Sequence, residues 1–88
     1  MLKQVNKIDY RIIRQLGILG EKDNITTELN IISYNNYKPK LDLRKWEKKG
    51  DTKLLQRGLT LTDEEAKLLY NALKDYLEHI ETSKEVEE

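Results

Sequence analysis

The chain has no cysteine and no phenylalanine, and only one proline, one histidine and one tryptophan in 88 residues. Without cysteine there is no disulfide and no thiolate metal site. The lone histidine, His79, has no partner at a metal-ligand spacing. It falls near the end of a helical pattern, where a cation suits the helix dipole. A histidine–nucleophile pair, a glycine-rich phosphate loop and a metal-ligand cluster are all missing, so the residues point to a protein that is not an enzyme and needs no cofactor. No apolar run approaches bilayer-spanning length, and residues 1–6 lack the apolar core of a signal peptide. The expectation is a cytoplasmic protein with no membrane partner and no small-molecule substrate.

Apolar residues are also scarce. They make up 38% of the chain and charged residues 36%, so one small domain of this length has only a thin core. Residues 1–80 read as that domain, and 81–88 as an acidic, frayed tail. A thin core suggests that apolar surface is shared with a second copy, and hence a symmetric homodimer.

What the chain does have is charge sorted by position. Residues 1–57 carry thirteen Lys/Arg against seven Asp/Glu, and residues 58–88 carry three against nine, which hides behind a net charge of zero. Tyr34, Tyr37 and Trp46 are interleaved with Lys38, Lys40, Arg44, Lys45 and Arg57 in the basic part. Cations attract a phosphate backbone and flat rings offer stacking surfaces for bases, a combination suited to single-strand nucleic-acid binding.

The pattern of strands and turns places these residues. Period-two alternation begins at Ile8, Tyr10 and Ile12 and predicts a first strand over 8–19, with Gly17 and Gly20 suggesting a bulge or bend. A polar turn at 21–24 leads to a second strand over 25–34. Asn35-Asn36-Tyr37 turns the chain, and a third strand follows Pro39. Lys48-Lys49-Gly50-Asp51 is the next turn, and a fourth strand covers 54–61 with Gly58 as a second bulge candidate. Thr62 then opens a helix with Glu65 three residues on, a capping box. Ala66, Leu69, Leu73, Tyr76 or Leu77, and Ile80 recur at helical period, with Leu68 and Ala72 as a shoulder and an end expected near Ile80. The fold class is α+β, a four-stranded antiparallel β-meander followed by one C-terminal helix.

Alternation assigns two faces to the sheet. Leu29, Ile31, Leu41, Leu43, Leu59 and Leu61 are the residues expected beneath the helix. Glu28, Asn30, Ile32, Tyr34, Lys40, Asp42, Arg44 and Trp46 form the opposite, water-facing side. Sequence readout is not expected, because the one helix is acidic on its outer face.

Several segments together resemble a known family. They are Glu28-Leu29-Asn30, Ser33-Tyr34-Asn35, the run from Pro39 to Trp46 with Asp42-Leu43-Arg44 at its centre, and Gly58-Leu59-Thr60-Leu61-Thr62 with Glu64-Glu65 ahead of a leucine-rich helix. In order and spacing they resemble the positive-cofactor-four family of single-stranded-DNA-binding transcriptional coactivators, in the form of its small bacterial YdbC-type members. The resemblance implies four antiparallel strands, a helix, and a homodimer whose sheets hold two antiparallel single strands. It implies a nucleic-acid contact for Arg44, an aromatic at the end of the second strand in Tyr34, basic hairpin positions in Lys38 and Lys40, and a basic residue before the strand-four glycine in Arg57. Trp46 agrees with the bacterial form. The expected function is sequence-independent binding of single-stranded DNA by a nucleoid-associated protein of transcription, replication or repair. Tyr34 and Trp46 would stack bases, while Lys38, Lys40, Arg44 and Arg57 grip phosphates. Two readings compete: a protein-interaction module that docks an acidic partner, and single-stranded RNA binding, since no residue speaks to the 2′-hydroxyl.

Overall fold

The computed structural model describes residues 9–87, with only the backbone for 82–87. Four strands, β1 (Tyr10–Lys22), β2 (Ile25–Tyr34), β3 (Lys40–Lys49) and β4 (Thr52–Leu61), precede one helix, α1 (Asp63–Glu87). They form a single antiparallel sheet in the order β1-β2-β3-β4. The chain is therefore the α+β meander-plus-helix that the alternation and the capping box predict. The part of the first strand expected at Ile8, like the N-terminal 1–6, lies outside the described residues.

Each hairpin reverses at a residue that accepts left-handed backbone. Asp23 has φ 57°, Asn35 53°, Asn36 64° and Gly50 61°. Short polar side chains and glycine tolerate this conformation where branched residues do not. β1 is irregular. Its register against β2 skips Ile13, Leu16 and Leu19, so three bulges recur at every third residue. The glycines expected to mark a bulge, Gly17 and Gly20, each follow a skipped residue. Bulges increase local twist, and three of them wind this edge strand strongly.

The consequence is a sheet that curls over one of its own faces. Tyr10 on β1 and Lys53 on β4 come from opposite edges, yet both reach Trp46 on β3. Thr26, Glu28, Asn30, Ile32, Asp42 and Trp46 all lie on this concave face, each no more than 1% exposed. This reverses an expectation for Glu28, Asn30, Ile32, Asp42 and Trp46, which belong to the side read as water-facing. The opposite side, expected beneath the helix, is less enclosed: Leu29, Ile31, Leu41, Leu43 and Leu61 are half-buried and Leu59 is 51% exposed. α1 touches only β3 and β4, and its Leu68, Leu73, Tyr76 and Leu77 remain exposed. Twist decides the matter, because a curled sheet can bury one face with no covering layer.

The capping box forms as expected. Thr62 Oγ1 accepts from the Glu65 backbone N–H at 3.0 Å, and a Glu65 carboxylate oxygen accepts from the Thr62 N–H at 2.9 Å. The helix runs on to Glu87 instead of stopping near Ile80. No glycine or proline stands between 80 and 87 to end it, so the expected frayed tail is helical and His79 lies in the interior of the helix, not its last turn.

Gly58 is required by a close approach. It stands opposite Arg44, and a methyl group there would overlap the Arg44 Cβ and sit 2.6 Å from both the Arg44 Cα and the Leu43 carbonyl oxygen. Gly58→Ala is expected to lower unfolding free energy by about 1–3 kcal/mol through overpacking. Thr62→Ala should cost about 1 kcal/mol through the lost cap. Urea denaturation followed by circular dichroism checks both, and Gly58→Ala should be the more damaging.

Candidate nucleic-acid interface

β2 and β3 place Tyr34, Asp42 and Arg44 on the concave face, where they form one connected group. The Arg44 guanidinium donates Nε–H to Asp42 Oδ1 and Nη2–H to Asp42 Oδ2, both at 2.8 Å. Its Nη1 donates to the Gln56 carbonyl at 2.9 Å. That carbonyl is presented by a bulge, because the β3–β4 register passes from Trp46 opposite Leu55 to Arg44 opposite Gly58 and so skips Gln56 and Arg57. The missing side chain at Gly58 lets the arginine cross. Tyr34 donates its hydroxyl to Asp42 Oδ2 at 2.8 Å, and its ring lies 5.7 Å from the guanidinium carbon. Three of the five N–H bonds of a guanidinium are engaged by Asp42 and the Gln56 carbonyl, and the Tyr34 side chain stands against the same group. The Arg44 side chain is 15% exposed.

These contacts fix charge states. The hydrogen bonds from Arg44 to Asp42 hold the guanidinium more firmly protonated than usual. Burial, and then the bond to Asp42, push the Tyr34 phenol well above its ordinary range. Tyr34 is thus a neutral donor and Arg44 a fixed cation whose position is set by a bidentate carboxylate.

Around this group the expected cations are exposed. Lys40 stands opposite Ile32 on the concave face, diagonal to Tyr34, and Lys38 lies in the hairpin before it. Arg57 projects from the bulge of β4. Tyr37, at the hairpin turn, is 72% exposed, held by a bond from its N–H to the Tyr34 carbonyl at 2.9 Å and by Ser33 donating to its own carbonyl at 2.7 Å. Tyr34, Lys38 and Lys40 therefore lie at the start of β3, while Arg44 sits at its middle and Arg57 in the β4 bulge between the partners of Arg44 and Trp46.

Trp46 does not share their exposure. The expectation of an indole open to solvent is overturned: it is fully buried. Tyr10 tilts against it with ring centroids 5.5 Å apart, and Lys53 Nζ lies 4.9 Å from its ring centroid. The Tyr34 ring is also partly occupied, between Arg44 and Tyr10. The aromatic face free to stack is that of Tyr37.

Next to Trp46 is a group that reading the sequence passed over. Glu28 is 1% exposed and accepts from Thr26 Oγ1 at 2.7 Å, Asn30 Nδ2 at 3.2 Å and Lys53 Nζ at 3.0 Å. Burial alone would raise its pKa, but the hydrogen bonds from Thr26, Lys53 and Asn30 outweigh it, and the carboxyl lies below the usual 4.5. The signal was the alternation itself, which puts Thr26, Glu28 and Asn30 on one face.

Among the described residues no group of three or more His, Cys, Asp or Glu could hold a metal ion, and no helix is long and apolar enough to cross a membrane. A scan against protein-family models finds no match for the chain, and a search of curated proteins finds none either.

Glu28 generates a pH dependence. A carboxyl whose pKa is lowered on folding stabilises the fold above its unfolded value, and that contribution is lost as pH falls through the folded value. Stability measured by urea denaturation should therefore fall below about pH 4.5. Glu28→Gln should be less stable at neutral pH and show a shallower acid decline.

Proposed function

We propose that this chain is a non-enzymatic protein that binds single-stranded DNA largely without regard to sequence, acting in transcription, replication or repair as a nucleoid-associated cytoplasmic protein. The observation that carries the reading is the arginine clamp. Arg44 is held in a fixed pose by Asp42 and the Gln56 carbonyl with its side chain 15% exposed, and Lys38, Lys40 and Arg57 are exposed on the elements that adjoin β3. A pre-positioned guanidinium with mobile lysines around it suits successive phosphates along one strand. Tyr37 adds an exposed ring within this basic hairpin, and a ring of that kind takes any base. Lys38 and Lys40 are exposed at the start of β3, where a polyanion would meet them beside the acidic first turn of α1.

The reading includes a homodimer. Leu68, Leu73, Tyr76 and Leu77 form an exposed apolar stripe on α1, and Leu59 is exposed on the sheet side that α1 leaves open. Such a stripe is more than a monomer usually leaves in water. A protein-interaction module is the second reading. It is favoured by the exposed Ile13, Leu16 and Leu19 at the bulges of β1, and an acidic partner would suit the cations nearby. Single-stranded RNA would meet the same phosphate and ring contacts as DNA.

Fluorescence titration of oligo-dT and of duplex DNA at two salt concentrations tests the proposal. Single strands should bind tighter than duplex. With Lys38, Lys40, Arg44 and Arg57 each neutralising a phosphate, log K should fall against log salt with a slope of roughly −3 per chain. Tyr37→Ala should weaken oligo-dT binding by about 1–3 kcal/mol. Equal or stronger duplex binding, or an affinity indifferent to salt, would contradict the reading.

A further inference from the structure

We infer that the closed part of the concave face over Trp46 is a nucleobase pocket with Lys53 as its gate, and that its polar lining favours guanine. The inference rests on the single-strand reading above and adds to it one base-selective position.

The concave face holds an imbalance of hydrogen bonds. Buried polar atoms are nearly always hydrogen-bonded, and those of Thr26 and Glu28 are. Two are not: the Oδ1 of Asn30 and the Nε1 of Trp46 have no partner, although both residues are fully buried. One is an acceptor and the other a donor, and both residues lie on the same concave face as Glu28, with Lys53 against both the Trp46 ring and the Glu28 carboxylate. Nothing in the fold requires them to go unpaired there.

Among the described residues, the cover on the β4 side is a lysine side chain. Lys53 closes it with an ammonium 4.9 Å from the Trp46 ring centroid and 2.9 Å from Glu28 Oε2, while its side chain remains 32% exposed. A lysine is a point charge on a four-carbon stem, and a phosphate competes directly with a carboxylate for it. Tyr10, by contrast, is fixed in the β1–β2 ladder opposite Tyr34. A strand running along β3 from Arg44 toward Trp46 would bring a phosphate within reach of Lys53 and draw it off the indole.

Once Lys53 has moved, Glu28 keeps its bonds from Thr26 and Asn30 but lacks a cation. A buried carboxylate left without one is costly unless other donors replace it. The opened pocket then presents the Glu28 carboxylate and Asn30 Oδ1 as acceptors and Trp46 Nε1–H as a donor. Guanine offers N1–H and N2–H donors beside its O6 acceptor, which matches that set. Thymine offers a single N–H between two acceptors, and adenine and cytosine each offer only one amino group.

Trp46 is the sole tryptophan, so its fluorescence reports the pocket directly in the full-length chain. The test compares oligo-dT with the same oligomer carrying one central dG, and measures acrylamide quenching of the free protein. The dG oligomer should bind at least about tenfold tighter and quench Trp46. Lys53→Met should raise acrylamide quenching without nucleic acid present. Glu28→Gln, if its circular dichroism is native, should abolish the preference for dG while retaining oligo-dT binding. Equal affinity for the two oligomers in the wild-type protein, with Trp46 emission unchanged on binding, would overturn the pocket and leave the single-strand reading standing. Absence of binding to both oligomers would overturn the pocket and the single-strand reading together.

Discussion

Two carboxylates that hardly touch water, those of Glu28 and Asp42, organise this fold. A buried charge is tolerated only when hydrogen bonds and an opposite charge satisfy it. Asp42 is answered by the Nε and Nη2 donors of one edge of the Arg44 guanidinium and by the Tyr34 hydroxyl. Glu28 is answered by Thr26, Asn30 and Lys53. The concave face can therefore close without an apolar filling, and this is how a chain with few apolar residues still has a buried interior.

The two solutions differ in stiffness. Arg44 is engaged through three of its donors and threaded over Gly58, so it cannot leave without opening the β3–β4 pairing. Lys53 is bound through one ammonium group and partly exposed. A rigid cation suits a permanent contact, while a lysine that can exchange partners suits a contact made only when a ligand arrives. Both stand on the same face, on either side of the bulge at Gln56 and Arg57 that bends β4 between them.

Curvature links these local chemistries. Three skipped residues in β1 wind that edge until Tyr10 lies on Trp46. The same curl leaves the apolar side of the sheet facing outward with α1 set only against β3 and β4. What is buried in one chain is thus mostly polar, and what is exposed on the helix is apolar. The acidic first turn of α1 stands beside the start of β3, where Asp63 shares a surface pocket with Lys38 and Lys40.

Much of the molecule was legible in the residues alone. Period-two alternation set out β2 and β3 and sorted their side chains by face, because side-chain direction in a strand is a local matter. Asp23, Asn35, Asn36 and Gly50 announced the turns through their tolerance of positive φ, and Thr62 with Glu65 announced the start of α1. The gathering of Tyr34, Lys38, Lys40 and Arg44 followed from the same alternation and a short hairpin. Which face closes was not local. Alternation labels two sides and is silent on the hand and degree of curl, which depend on the register of β1 against β2. Only the tertiary structure could seal Trp46 under Tyr10 and Lys53, from opposite edges of the sheet, because that contact exists through coiling and not through sequence spacing.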